Sequence, residues 1–390
     1  MVGPAEAMVD TVRTLFPGSL VRLGPAEPRA VGGYCFVPSA KRPNLVVPSS
    51  SARAAARTVW RFSVAASPRD SASRLAAGAA LRMGAVRFTK DMISIEADGD
   101  SIVHHLQAVF GEPVAVSIAI GSARANRKPV LEVFDGRGRS LGFAKVGIDP
   151  VSRRDVEAEA ANLRSLGDRV PAAMVVPQVI DDSMWNDHRV LVMSSLSTRW
   201  QRPGMRTKVP VDLMNDFARA WGSEHVTLAS SSFWSEQRDR AMGLTPDTET
   251  SRLRAALERV EERWGDETVE TGAWHGDWTP WNMAWRRGRL QVWDFERLDH
   301  DGLVGLDVLH YLVNEIMQRA GVNQTELFRA TGRGRDLLAR ERVAADAVVA
   351  SYLASIAVRY QSAVAGERGA LIADRAKFMI DALERQVESP

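Results

Sequence analysis

A chain of 390 residues, 45% hydrophobic and 25% charged, can bury a full core in two or three folding units. Its 50 basic and 48 acidic residues leave a formal charge of +2, too small a field to draw in nucleic acid or an anionic membrane, so neither is an expected partner. The single cysteine, Cys35, excludes an internal disulfide, and no window reaches the roughly 18 to 20 apolar residues needed to span a bilayer. The opening "MVGPAEAMVDTVRTLF" has neither the basic start nor the apolar run of a secretion signal, so a cytoplasmic monomer or homodimer is expected.

In chain order, residues 1 to about 110 mix short strands, "GYCFVPS" and "NLVVPSS", with helical stretches, "SARAAARTVWRFS" and "SASRLAAGAALRMGA". Asp100 or Ser101 is placed to cap "SIVHHLQAVFG", and His104 and His105, being adjacent on a helix, point to different sides and read as surface histidines. From 112 to 147, "EPVAVSIAIG", "KPVLEVFD" and "SLGFAKVG" form an antiparallel meander separated by turn chemistry. The helix that starts after Asp149 puts Val156, Ala160, Leu163 and Leu166 near one stripe, and "VVPQVIDD" and "HRVLVMSSL" supply two more strands. Three strands, one helix and two strands suit a sheet with a single helix packed on it. Beyond "RPG" at 202 to 204 the chain is mainly helical, with "VPVDLMNDFARAWG", "SRLRAALERVEERWG", "GLDVLHYLVNEIMQRAG" and a long Ala-rich tail.

One segment breaks this pattern. "WHGDWTPWNMAW", residues 274 to 285, and "LQVWDFE", residues 290 to 296, crowd polar groups between apolar strands, and buried polar groups cost free energy unless they are paired. Phosphoryl transfer from a nucleotide needs a base for the acceptor hydroxyl, oxygen ligands for Mg²⁺ and a cation on the phosphates. Asp277 and Asn282 straddle a loop stiffened by Pro280, and Asp294 ends the next apolar strand, which supplies one base and two oxygen ligands. Upstream, Lys145 lies inside a strand where it would be costly alone, and Glu159 on the following helix, beside the apolar stripe, is favoured over Glu157 as its partner.

With these residues in this order, the chain resembles the aminoglycoside phosphotransferase and choline kinase-like family over roughly residues 112 to 390. The resemblance rests on "HGDWTPWN" followed by "VWDFE". It implies an α+β, bilobal protein-kinase-like fold. Residues 1–110 would add an N-terminal cap subdomain, 111–198 a β-rich nucleotide-binding lobe with one main helix, and 199–390 an α-rich lobe with the catalytic loop and acceptor site. It also implies Asp277 as catalytic base, Asn282 and Asp294 as Mg²⁺ ligands, Lys145 on the α/β-phosphates of ATP or GTP, and Glu159 orienting that lysine. Gly121 and Ser122 fall in the phosphate-covering segment, which has one glycine where several are usual, and Ser195 falls in the hinge "VMSSL". His275 and Asp307 take supporting roles.

The acceptor is expected to be a small molecule with a hydroxyl. Only a dozen or so residues separate Asp294 from the next helix, too few for a peptide-docking platform. Residues 323 to 390 carry nearly equal numbers of basic and acidic side chains, which does not suit a polycation. Trp278 and Trp281, with Glu296, are expected to face a neutral sugar-like or nucleoside-like compound, such as an antibiotic inactivated by phosphorylation. A primary-metabolism sugar or amino alcohol is the alternative, and a kinase-fold binding protein without activity is the second.

Overall fold

The computed structural model describes the chain apart from residues 1–3, 25–31, 42, 63–67, 86–91, 97–99, 121–127, 197–208, 366–368 and 389–390. The fold is α+β. The described residues divide into two compact units: Met1–Ser165 with Val176–Arg206 and Trp285–Gln291, and Leu166–Val175 with Thr207–Ala284 and Val292–Pro390.

The first unit is built on a sheet of nine strands: β1 (Leu20–Gly24), β2 (Gly32–Val37), β3 (Leu45–Pro48), β4 (Met92–Glu96), β5 (Ala115–Ile120), β6 (Pro129–Phe134) and β7 (Ser140–Gly147), then, beyond the two-residue β8 (Met174–Val175), β9 (Val179–Trp185) and β10 (His188–Ser194). The order is β1-β4-β2-β3-β5-β6-β7-β10-β9. The meander β5, β6 and β7 is present. The N-terminal strands continue it through antiparallel pairing of β3 with β5, Leu45 opposite Ala119 and Val46 opposite Ile118, instead of making a sheet of their own.

Strand alternation sorts the side chains onto two faces. On one, Leu131, Val133, Ala144, Val146, Val190 and Val192 pack with α1 (Pro4–Leu15) and with α4, which follows α2 (Ala52–Phe62) and α3 (Pro68–Arg82) and spans Ile102–Phe110. Ser101 caps α4, its hydroxyl accepting the N–H of His104. The opposite face carries Glu132, Phe143 and Lys145, since Glu132 pairs with Phe143 and Val130 with Lys145. Here α2 lies on the sheet. Its Thr58 donates to Ser117 Oγ at 2.7 Å, and Arg61 stacks over the Phe143 ring at 4.4 Å while bonding Glu132 Oε1 at 3.2 Å. Helix α5 (Pro150–Leu166) begins where Asp149 Oδ1 accepts the N–H groups of Val151 and Ser152, both at 2.9 Å, and buries the expected stripe of Val156, Ala160, Leu163 and Leu166.

In the second unit, α6 (Val211–Arg219), β11 (His225–Thr227), α7 (Ser232–Met242) and α8 (Thr248–Trp264) precede β12 (Thr268–Trp274). The hairpin strands β13 (Met283–Arg286) and β14 (Arg289–Val292) follow the polar loop, their residues Trp285–Gln291 being counted with the first unit, and β15 (Asp299–Leu303) returns to pair with β12. Then come α9 (Leu306–Ala320), α10 (Gln324–Arg340), α11 (Ala345–Val364) and α12 (Ala373–Glu388). Helix α11 is apolar nearly all round and correspondingly buried, as a central bundle helix must be. Arg252 of α8 ties it to α12 through Asp381 and Glu384. Among the described residues no helix is long and apolar enough to cross a membrane.

The Arg61–Glu132 pair fixes α2 to the sheet, and Glu132 is 2% exposed. Burial raises its carboxyl pKa, which the Arg61 guanidinium opposes. Breaking a buried pair from one side leaves an uncompensated charge, so Arg61→Ala is expected to lower unfolding free energy by roughly 3 kcal/mol. Adding Glu132→Gln should restore part of it; chemical denaturation of the single and double variants measures both.

Candidate active site

In the first unit, Lys145 sits mid-strand on β7 with Leu191 of β10 and Val130 of β6 as register partners. Its Nζ lies 2.7 Å from Glu159 Oε1 and 2.5 Å from Oε2. Glu159 is fully buried, whereas Glu157 is exposed, because only position 159 sits beside the apolar stripe of α5. A lysine so placed is held by both carboxylate oxygens and keeps a fixed direction. Ser195, just past β10, accepts from Arg61 Nη1 at 3.3 Å and from the Ser140 hydroxyl at 3.0 Å, and Arg61 also donates to the Leu196 carbonyl. Gly121 and Ser122 lie outside the described residues.

In the second unit, β12 delivers the chain into the loop through His275 and Gly276. The buried carboxylate of Asp307, in the first turn of α9, accepts the His275 N–H at 2.8 Å and the Gly276 N–H at 3.3 Å. Gly276 has φ +76°, and a Cβ there would meet Trp274 Nε1 at 2.2 Å and the Arg297 carbonyl at 2.5 Å, so the position requires glycine. On its other side the Gly276 carbonyl accepts from Arg359 Nη1 at 2.9 Å, whose guanidinium stacks over Trp274 at 5.0 Å. His275 is fully buried. Its Nδ1 accepts the Asp277 N–H at 3.3 Å, so the ring hydrogen is on Nε2, which donates to the Trp293 carbonyl at 3.2 Å. The histidine braces the loop to the segment that carries Asp294.

Asp277 is thereby presented with both carboxylate oxygens bonded: Oδ2 takes Asn282 Nδ2 at 2.9 Å, and Oδ1 lies 3.3 Å from His310 Nε2. Asn282 also reaches the Asp277 carbonyl at 3.0 Å and Asp294 Oδ2 at 3.5 Å. Its NH₂ group serves these carboxylates, which leaves Oδ1 as the atom able to face a cation. Asp294 adopts φ +74°, a conformation uncommon for a side-chain-bearing residue and characteristic of functional loops. The donor set of Asp294 carboxylate and Asn282 amide oxygen is hard, and fits Mg²⁺ better than a soft metal.

Burial dominates the electrostatics. It pushes the His275 imidazole down to about 4, and pushes the Asp307 carboxyl up to about 7 against the two N–H groups that hold it down. Burial also works to raise Asp277, but the hydrogen bond from His310 outweighs it, so its carboxyl titrates below the ordinary range and stays ionised at neutral pH.

One expectation needs correction. Trp278 has no exposed surface; it packs edge-on against Phe217 with centroids 5.5 Å apart and beside His275 at 5.6 Å, so it offers no face to a ligand. Trp281 is half-buried, and Glu296 is half-buried beside Arg297 at 3.9 Å. Sequence reasoning passed over His310, Tyr352 and Arg359. The available signal was helical spacing: His310 follows Asp307 by three positions on α9, and Arg359 follows Tyr352 by seven on α11, which places each pair on one face.

No family model and no curated protein matches this sequence. Solved structures do. A thermostable mutant of the aminoglycoside phosphotransferase APH(4)-Ia, in a ternary complex with ADP and hygromycin B, superposes with a TM-score of 0.53 at 15% identity, over 75% of this chain and 100% of that one. Another such mutant, with AMP-PNP and hygromycin B, gives 0.53 at 16% identity over the same shares, and APH(4)-Ia itself 0.50 at 15% over 73% and 98%. The chain therefore has the aminoglycoside phosphotransferase-like form of the protein-kinase fold.

Proposed function

We propose that the protein is a Mg²⁺-dependent kinase that transfers the γ-phosphate of ATP or GTP to a hydroxyl of a neutral, sugar-like or nucleoside-like small molecule. The observation that supports it most is the Asp277 carboxylate, ionised and held at both oxygens by Asn282 and His310 in a loop clamped by Asp307. On this reading residues 111–198 bind the nucleotide, 199–390 carry the base and the acceptor site, and 1–110 cap the nucleotide-binding half.

Each unit contributes its own chemistry. Lys145, aimed by Glu159, offers its ammonium to the α- and β-phosphates. Asp277 accepts the proton of the acceptor hydroxyl as its oxygen bonds to the γ-phosphorus and the bond to the β-phosphate oxygen breaks, releasing the nucleoside diphosphate. Asp294 and Asn282 would hold Mg²⁺, which when bound neutralises charge on the phosphates. The APH(4)-Ia complexes with ADP, AMP-PNP and hygromycin B support a nucleotide donor and a small-molecule acceptor for this fold.

The acceptor class follows from charge. Arg359 is bonded next to the base at Gly276, and it and Arg297 both act on His310, the partner of Asp277, so two cations already lie on this side of the loop. A polycation would meet repulsion there. An antibiotic inactivated by phosphorylation is the favoured compound, with a primary-metabolism sugar or amino alcohol next. One observation favours a second reading, a kinase-fold protein that binds without catalysis: Ser195 and the Leu196 carbonyl are already engaged by Arg61.

Calorimetry separates these readings. Wild type should bind nucleotide in a Mg²⁺-dependent way, and Asp294→Ala should weaken this more severely than Asn282→Ala because Asp294 carries the full charge. Normal binding by both variants would place the metal ligands elsewhere, and no nucleotide binding by wild type would favour the second reading. Given MgATP, the enzyme should phosphorylate uridine-type nucleosides or neutral sugars well ahead of kanamycin-type polyamines; efficient transfer to polyamines alone would defeat the charge argument.

A further inference from the structure

Behind the Asp277 carboxylate lies a buried polar pair, His310 and Tyr352, and the contact of His310 with Asp277 does more than hold the loop. His310 Nε2 is 3.3 Å from Asp277 Oδ1, and His310 Nδ1 is 3.4 Å from the Tyr352 hydroxyl. His310 is 7% exposed and Tyr352 1%, so both need internal partners. A carboxylate oxygen only accepts, which requires the hydrogen on Nε2. The Tyr352 O–H then finds an acceptor in the unprotonated Nδ1. Both bonds run in one direction, from Tyr352 through a neutral imidazole to Asp277. Burial and the neighbouring charges of Arg359 and Arg297 disfavour the imidazolium, in agreement with that geometry.

The pair is held from outside. Asn314 donates to the His310 carbonyl at 2.8 Å, one turn along α9, and the Trp274 ring lies 6.4 Å from the imidazole. Because α9 begins at the Asp307 clamp, the same helix turn holds the loop backbone and the base's side chain. Asp277 Oδ2 is already taken by Asn282. A lone carboxylate could rotate; one held at both oxygens by separate elements cannot, and each oxygen keeps a second lone pair for an incoming hydroxyl. A neutral donor orients the carboxylate without the ion pair that a lysine or arginine would impose on a base.

We propose that His310, backed by Tyr352, is the positioning residue of the phosphoryl transfer, its Nε2–H fixing the Asp277 carboxylate in the direction from which it takes the acceptor proton. This rests on the reading of Asp277 as the base.

The test uses the full-length protein with MgATP, water standing as acceptor and phosphate release as readout, together with long-range ¹H–¹⁵N NMR of ¹⁵N-histidine-labelled protein. His310 should show the Nε2–H tautomer, identified by its absence in His310→Gln, and Tyr352→Phe should shift its Nδ1 resonance. His310→Ala should lower kcat by roughly 10- to 100-fold, the rate equivalent of one hydrogen bond to a charged group, with KM for MgATP unchanged. His310→Gln, whose amide can donate, should recover most of that loss. Wild-type kcat in His310→Ala, where Asp277→Ala has lost turnover, would overturn the positioning role and leave the base assignment standing. Turnover retained in Asp277→Ala would remove the base reading and the proposal with it. Equal losses in His310→Ala and His310→Gln accompanied by weakened nucleotide binding would reduce His310 to packing and overturn the proposal.

Discussion

Everything in the second unit's polar loop depends on one buried carboxylate. Asp307 accepts two consecutive backbone N–H groups, from His275 and Gly276, at the point where β12 ends and the loop begins. Unpaired, those N–H groups would cost free energy in the interior, and an unpaired Asp307 would cost more. Paired, they fix the loop against the first turn of α9. The positive φ of Gly276 and the Arg359 bond to its carbonyl then leave the backbone a single path. Asp277 follows with its own N–H held by His275 Nδ1, and the His275 tautomer carries the constraint onward to Trp293 and so to Asp294.

The first unit solves a parallel problem with an ion pair. A lysine within a β-strand and a glutamate with no exposed surface are each costly alone and tolerable together, and the two short contacts to Glu159 show how closely they are matched. The same sheet face carries a second buried pair, Arg61 with Glu132, two residues from Lys145 in strand register because Glu132 pairs with Phe143. The N-terminal residues thus reach the end of β10 through Arg61, Ser195 and Leu196, which is the structural consequence of their strands joining the sheet.

The fold was legible where the signal was local. Alternation in "VLEVF" and "GFAKVG" and the stripe through Val156, Ala160, Leu163 and Leu166 each depend on neighbours in sequence. The link between the N-terminal strands and the meander was not, because Leu45 of β3 pairs with Ala119 of β5 far along the chain and nothing in either strand announces its partner. The loop's polar residues were visible as a cluster, and Glu159 was separable from Glu157 by its place beside the stripe. Trp278 was misjudged because sequence shows that a tryptophan is next to Asp277 but not that Phe217 covers it. His310 was missed for the opposite reason: in "LDVLHYL" a single histidine among apolar residues looks like core, and only the meeting of α9 with α11 shows both ring nitrogens engaged.

The central claim is that the Asp277 loop passes a phosphoryl group directly from nucleotide to a small hydroxyl compound. Incubating the protein with γ-labelled MgATP and a panel of neutral sugars and nucleosides, then following the label, tests this directly. The label should appear on a small compound and never on protein, and Asp277→Ala should slow its appearance by roughly 10²- to 10⁴-fold. Label held covalently on the protein, or transfer that proceeds undiminished in Asp277→Ala, would contradict it.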